Sequence, residues 1–175
     1  YLAEIAPSKP VVAEERVAAG IVPDISVEPF WLVDPLDGTR EFINRNDEFT
    51  VNIALIEDRN PSIGVVYAPA RRQLFYASGP GQAFIVEGDG TPRQISVRSP
   101  DRDGLIVVAS RSHRDINTDE YLKQFKVKKL LSAGSSLKLC LLAAGEADLY
   151  PRLGRTMEWD IAAGHAILAC AGGTI

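Results

Sequence analysis

At 175 residues the chain is long enough to bury a core of its own, and 46% hydrophobic with 24% charged residues is the composition of an ordinary globular protein. A net charge of −4 argues against a nucleic-acid binder, and it leaves room for a polyanionic small molecule only if the site brings its own cations. No apolar run reaches the length of a membrane span; the nearest, SSLKLCLLAAGEADLY, is interrupted by Lys138 and Glu146.

In chain order, residues 1–29 are rich in Pro, Val and Glu, and PVVAEER reads as a short strand ending on the paired acids Glu14 and Glu15. FWLVD is a continuous apolar run suited to a strand buried on both faces. EFTVNIALIE, IGVVYAP and QLFYAS then form a meander, with Phe49, Val51, Ile53 and Leu55 alternating in register. Its turns fall at DRNPS and at the Arg71-Arg72 corner, which is most simply solvated, an oligomer contact being the other reading. AFIVEG and RQISV predict a further hairpin.

After about residue 104 the texture changes. GLIVVASRSH reads as a strand and NTDEYLKQF as a short helix. AGSSLKLCLLAAGEA reads as a helix with a serine cap, DLYPRL as a strand, and WDIAAGHAILACAGG as a helix stopped by a glycine pair. The pattern predicts a single layered α/β domain over residues 1–175, with a lobe boundary allowed near Gly104. The chain starts on Tyr1 and runs out at CAGGTI, where a new strand is expected, so it reads as incomplete at both ends. Cys140 and Cys170 fall in apolar helical stretches and are expected as buried free thiols, which suits a reducing compartment and a cytoplasmic location. Association with the inner face of the membrane is a further expectation.

The chemistry concentrates where FWLVD runs into DPLDGT. Asp34-Pro35-Leu36-Asp37-Gly38 is compatible with an exposed Pro-initiated turn. It is equally a strand end delivering two carboxylates to a cation, with Gly38-Thr39 offering backbone amides to a phosphate. Further acids are available in Glu14, Glu15 and Asp160. Hard divalent cations take carboxylate, carbonyl and phosphate oxygens, and an aspartate shared between two ions roughly 4 Å apart is the usual clamp for in-line phosphoryl transfer. Asp34 is placed to be shared, with Asp37 and Asp160 completing one site and Glu14 and the Leu36 carbonyl the other.

DPLDGTREF together with WDIAAGH resembles the paired signatures of the inositol monophosphatase-like superfamily of Mg²⁺-dependent, lithium-sensitive phosphatases. Within it, DPLDGTREFINRNDEFTVNIALI, GVVYAP, SRSH, GSSLKLCLLAAGEADLYPR and WDIAAGHAI in that order are similar to the bacterial 3′(2′),5′-bisphosphate nucleotidases, from about Pro10 to the end. The resemblance implies an α-β-α-β-α sandwich, two or three Mg²⁺ ions, and a small phosphorylated nucleotide as substrate, with a homo-oligomer allowed. It implies metal ligation by Glu14, Asp34, the Leu36 carbonyl, Asp37 and Asp160, with Glu15 behind them. Glu14, Asp37 and Thr39 would be catalytic, and Gly38 and Thr39 would hold the scissile phosphate. Ser135, Ser136, Lys138, His113, Arg152 and Asp160 would contact the nucleotide. The relatives run longer at both ends, and their N-terminal helices carry a loop aspartate that pairs with a threonine near the catalytic water.

Taken singly, several of these residues have plainer readings. The serines of GSSLK serve equally well as a helix cap, Lys138 as a solvated helix residue, and His113 as ordinary surface. Arg152 is suited to clamp a second phosphate bidentately. His165 turns away from the face of Asp160 and reads as structural, while Trp31 and Trp159 read as core. An inositol monophosphate or sugar phosphate phosphatase remains open, as do a non-catalytic phosphate-binding module and a structural cation site that braces two lobes.

Overall fold

The computed structural model describes residues 1–26, 29–110 and 116–175. Its spine is β2 (Phe30–Asp37), in which Leu32, Val33 and Asp34 are buried in succession. A strand buried on both faces has neighbours on both edges: β1 (Val11–Ala13) pairs with it in parallel and β3 (Thr50–Glu57) antiparallel. The sheet continues as a meander through β4 (Asn60–Ala68), β5 (Gln73–Ala77), β6 (Ala83–Glu87) and β7 (Arg93–Gln94), seven strands in chain order. A second sheet pairs β8 (Leu105–Ser110) with β9 (Val127–Ala133) in parallel, and α4 (Ile116–Leu122) lies between them in sequence. The mixed α/β architecture is the one the sequence predicts.

The large sheet is covered by α6 (Glu158–Cys170), with α5 (Leu137–Ala143) beside it. Ala163 and Ile167 share one core with Ala54, Val66, Phe75 and Ile85. The approach is close enough to dictate sequence. A Cβ on Gly64 of β4 would stand 2.3 Å from the Ala163 carbonyl oxygen, so only glycine admits the helix at this distance. Helix α6 ends where Gly172 takes φ 93°, a left-handed residue just past the last turn. Both cysteines are buried free thiols. Among the described residues, no helix is long and apolar enough to cross a membrane.

Three local expectations are corrected. Glu14 and Glu15 do not end a strand; after a short first helix, α1 (Leu2–Ile5), they open α2 (Glu14–Ala18), where acidic side chains favour the first helical turn. DLYPRL forms no strand, and pairs with β8 only through an isolated bridge from Leu149 to Val107, the prolyl residue that follows having no amide to extend a ladder. No strand begins at the C-terminal glycines. On β3, Val51 and Ile53 are partly exposed, while Thr50, Asn52, Ala54 and Leu55 are buried.

Candidate active site

Side chains alternate along a strand, so residues 34 and 37, an odd number apart, should point to opposite faces of the sheet. A bulge removes the conflict. Asp34 pairs with Asn52 and Asp37 with Thr50, so the three steps from Asp34 to Asp37 oppose two steps on β3. The extra residue restores phase and puts both carboxylates on one side. It also accommodates Pro35, which has no ladder hydrogen bond to offer. Within the bulge the Leu36 amide donates to Asp34 Oδ1 at 2.9 Å.

Asp37 is then gripped through one oxygen. Its Oδ2 accepts the Ser136 amide at 2.7 Å and Asn52 Nδ2 at 3.2 Å, with the Ser136 hydroxyl at 2.7 Å and Thr50 Oγ1 at 3.4 Å. Among the described residues no hydrogen bond engages Oδ1, which leaves it for another ligand. Asn52 also donates to Ser136 Oγ at 2.8 Å, and that hydroxyl lies 2.6 Å from the Asp160 carbonyl oxygen. Residues on β2, β3, α5 and α6 thus meet at one buried serine. Asp160 sits in the first turn of α6, where its Oδ2 accepts the Met157 amide at 3.0 Å and the Thr156 hydroxyl at 2.9 Å.

Two carboxylate triads share Asp34: Glu14 with Glu15, and Asp37 with Asp160, the ligand oxygens of each triad lying within 4.8 Å of one another. Burial and mutual repulsion raise the carboxyls of Glu14, Asp34 and Asp37. Burial, then the charge of Asp37, raises Asp34 to about 8, against the opposing Leu36 hydrogen bond. Burial likewise raises Asp37, opposed by its bonds from Ser136 and Asn52, and raises Glu14, with Asp160 and Glu15 adding to it. An all-oxygen donor set with no internal counter-charge fits a hard divalent cation.

A pocket of about 250 Å³ opens beside the triads, lined by Asp37, Gly38, Thr39, Ser135, Arg152 and Asp160 among others. Gly38, at φ 87°, makes the turn from β2 into α3 (Thr39–Ile43). Lys138 lines the same pocket at 6% exposure. Its ammonium donates to the Ser135 carbonyl and lies 5.4 Å from the centre of the Tyr150 ring. Burial lowers it to about 8, although Asp37 favours its charged form. Among the described residues Ser135 Oγ and Arg152 Nε are buried without a hydrogen-bond partner, while Arg152 Nη2 donates to the Arg155 carbonyl at 2.7 Å.

The whole chain, residues 1–175, matches the inositol monophosphatase family. The chain belongs to that family. It is 52% identical over 171 residues to the 3′(2′),5′-bisphosphate nucleotidase CysQ of Salmonella typhimurium and 50% identical to that of Escherichia coli, in each case over 98% of this chain and 68% of the relative. The crystal structure of CysQ from Bacteroides thetaiotaomicron superposes with a TM-score of 0.82 at 39% identity, covering 97% of this chain and 68% of that one.

The sequence-predicted residues fall into three groups. Glu14, Glu15, Asp34, Asp37 and Asp160 gather in the two triads, and Leu36 lies in the bulge between two of them. Gly38, Thr39, Ser135, Ser136, Lys138, Arg152 and Asp160 border the pocket. Ser136 stands at the N-cap position of α5, but its side chain makes no cap bond and serves Asp37 instead. Lys138 is not a solvated helix residue. His113 lies outside the described residues. His165 borders a different hollow with Trp159 and Phe30, and burial lowers its pKa.

Sequence reading missed Thr50, Asn52, Glu41 and Glu48, all 5% exposed or less. Thr50 and Asn52 did leave a signal: two polar residues spaced by two in an apolar strand, on the face opposite the regular alternation.

Proposed function

We propose that the protein is a magnesium-dependent 3′(2′),5′-bisphosphate nucleotidase that converts 3′-phosphoadenosine 5′-phosphate (PAP) to AMP and inorganic phosphate. The observation that carries this reading is the meeting of two opposed sets of charge in one pocket. Asp37 and Asp160 form its acidic wall, while Lys138 and Arg152 border the same space. A bisphosphate needs both: cations for the phosphate being cleaved and basic side chains for the one retained. The names of the relatives point the same way.

Glu14, Asp34, Asp37, Asp160 and the Leu36 carbonyl would hold two or three Mg²⁺ ions, with Asp34 shared. Magnesium bound there supplies positive charge for the transferring phosphoryl group and makes the attacking water more acidic. The Thr39 hydroxyl, at the pocket's edge, orients that water. Backbone amides of Gly38 and Thr39, at the turn from β2 into α3, receive the phosphate oxygens. Glu14 accepts the water's proton. The phosphorus–O3′ bond breaks and the ribose oxygen takes up a proton. Ser135, Lys138 and Arg152 hold the nucleotide, and His113 is assigned the same task. Ser136 acts through Asp37, whose orientation it sets. A cytoplasmic location belongs with this reading.

The test is the identity of the products after incubation of PAP with the full chain and Mg²⁺. AMP and phosphate are expected. Adenosine 3′-phosphate, or unchanged PAP, would contradict the proposal.

A further inference from the structure

Arg71 closes the 3-10 turn Pro69–Arg71 between β4 and β5, the corner that the sequence suggests is solvated. Its side chain is engaged instead. Nη2 is 2.8 Å from Glu48 Oε1, and Nε donates to the Asp47 carbonyl at 3.2 Å. Glu48 is 4% exposed, and its other oxygen, Oε2, accepts the Gly134 amide at 2.8 Å. Gly134 begins the loop that carries Ser135 and Ser136 into α5.

The loop backbone lies directly on acidic side chains. A Cβ on Gly134 would stand 2.7 Å from Glu41 Cγ and 3.1 Å from Glu48 Cβ. Two residues on, the Ser136 amide is tied to Asp37. Between these two fastenings Ser135 is held at φ 45°, a left-handed conformation that costs energy in a residue with a side chain. A strained residue persists only where its surroundings over-determine it, and here one carboxylate holds each side.

We infer that Arg71 is a positioning residue for the substrate loop: through Glu48 it holds Gly134–Ser136 in the conformation that presents Ser135 and Lys138 to the pocket. The inference rests on the reading of that pocket as the seat of a bisphosphate nucleotide. A buried carboxylate stays ionised, and so accepts a strong amide hydrogen bond, when a cation is paired with it. Without Arg71, Glu48 loses the contact that orients it and can turn, and the bond from the Gly134 amide to Oε2 is weakened. Ser135 then relaxes toward ordinary backbone angles. Asp37 keeps its own bonds from Ser136 and Asn52, so the loss falls on substrate binding and spares the metal-binding acids.

The experiment compares the full-length chain with Arg71→Met and Arg71→Lys at saturating Mg²⁺. PAP is one substrate, and p-nitrophenyl phosphate, which has no second phosphate, is the other. Arg71→Met is expected to raise KM for PAP by about tenfold with kcat little changed, the mark of lost binding shared by ground and transition states. Its kcat/KM for p-nitrophenyl phosphate and its half-saturating Mg²⁺ should match wild type, and Arg71→Lys should recover most of the affinity for PAP. In a Glu48→Gln background, where the acceptor needs no counter-charge, Arg71→Met should have no further effect, which keeps the test readable if the single variant folds poorly. An unchanged KM for PAP in Arg71→Met, or equal losses on both substrates, overturns the inference alone. A wild-type protein inactive on PAP overturns the functional reading and this inference with it.

Discussion

The Ser136 amide donates to Asp37 Oδ2 at 2.7 Å, joining the start of α5 to the end of β2 across 99 positions of sequence. The adjacent hydroxyl has one proton and two acceptors in reach, Asp37 Oδ2 and the Asp160 carbonyl, so the amide is the constant donor. Removing the hydroxyl in Ser136→Ala therefore weakens the grip on Asp37 and takes away one of the two acceptors of Asn52 Nδ2, leaving it Asp37 Oδ2 alone. A lost hydrogen bond to a charged group is worth about 1.5–3 kcal/mol. Half-saturating Mg²⁺ should rise by about tenfold or more on that scale. Phosphate release measured across a Mg²⁺ titration checks this, and an unchanged midpoint would remove Ser136 from the site.

The raised carboxyl of Asp34 predicts the pH dependence of the metal-free protein. With a folded value of about 8 against an ordinary 3.8, the folded state binds more protons than the unfolded state between those limits. Stability without metal therefore falls as pH rises through that window. On the proposed function Mg²⁺ would take the place of that proton, so its stabilising effect should grow with pH and its binding should release protons. Thermal melts at pH 5, 7 and 9, in chelator and in Mg²⁺, measure both trends. A melting temperature in chelator that rises from pH 5 to pH 9 would contradict the reading.

Lys138 titrates in the opposite sense. Burial brings it to about 8, so its positive charge is present below that pH and lost above it. KM for PAP should rise as pH passes 8, while Lys138→Met should be weak at every pH and lack that rise. Steady-state profiles of the two proteins check it. A parallel rise in both would assign the titration to another group.

The parts of this arrangement differ in how visibly the sequence carries them. Asp34, Asp37 and Asp160 stand in local signatures, so their gathering into triads was foreseeable. Strands β3 to β5 declare themselves by alternation and turn residues. The bulge that brings Asp34 and Asp37 to one side does not, because it is a property of pairing between β2 and β3. Arg71 and Glu48 are likewise silent, since a charged residue at a hairpin corner is normally solvated and only tertiary contact buries its partner. Ser136 misled because a serine before a helix has a local role as cap, and here the distant acceptor on β2 takes it.

Packing supplies an independent check on the scaffold. In Gly64→Ala the new methyl group would meet the Ala163 carbonyl at 2.3 Å and Ala166 Cβ at 2.8 Å, so α6 must move off β4. Overpacking of this kind costs about 1–3 kcal/mol. Denaturant unfolding should show a loss in that range. Because α6 carries Asp160, half-saturating Mg²⁺ should rise as well. Wild-type stability in this variant would mean that the helix does not sit as described.

The most direct test of the whole account is kcat/KM for PAP against inositol 1-phosphate with Mg²⁺, in the wild-type chain and in Asp37→Asn. The wild type should strongly prefer PAP, and the variant should lose activity on both substrates. A preference for inositol 1-phosphate, or an Asp37→Asn protein as active as wild type, would contradict it.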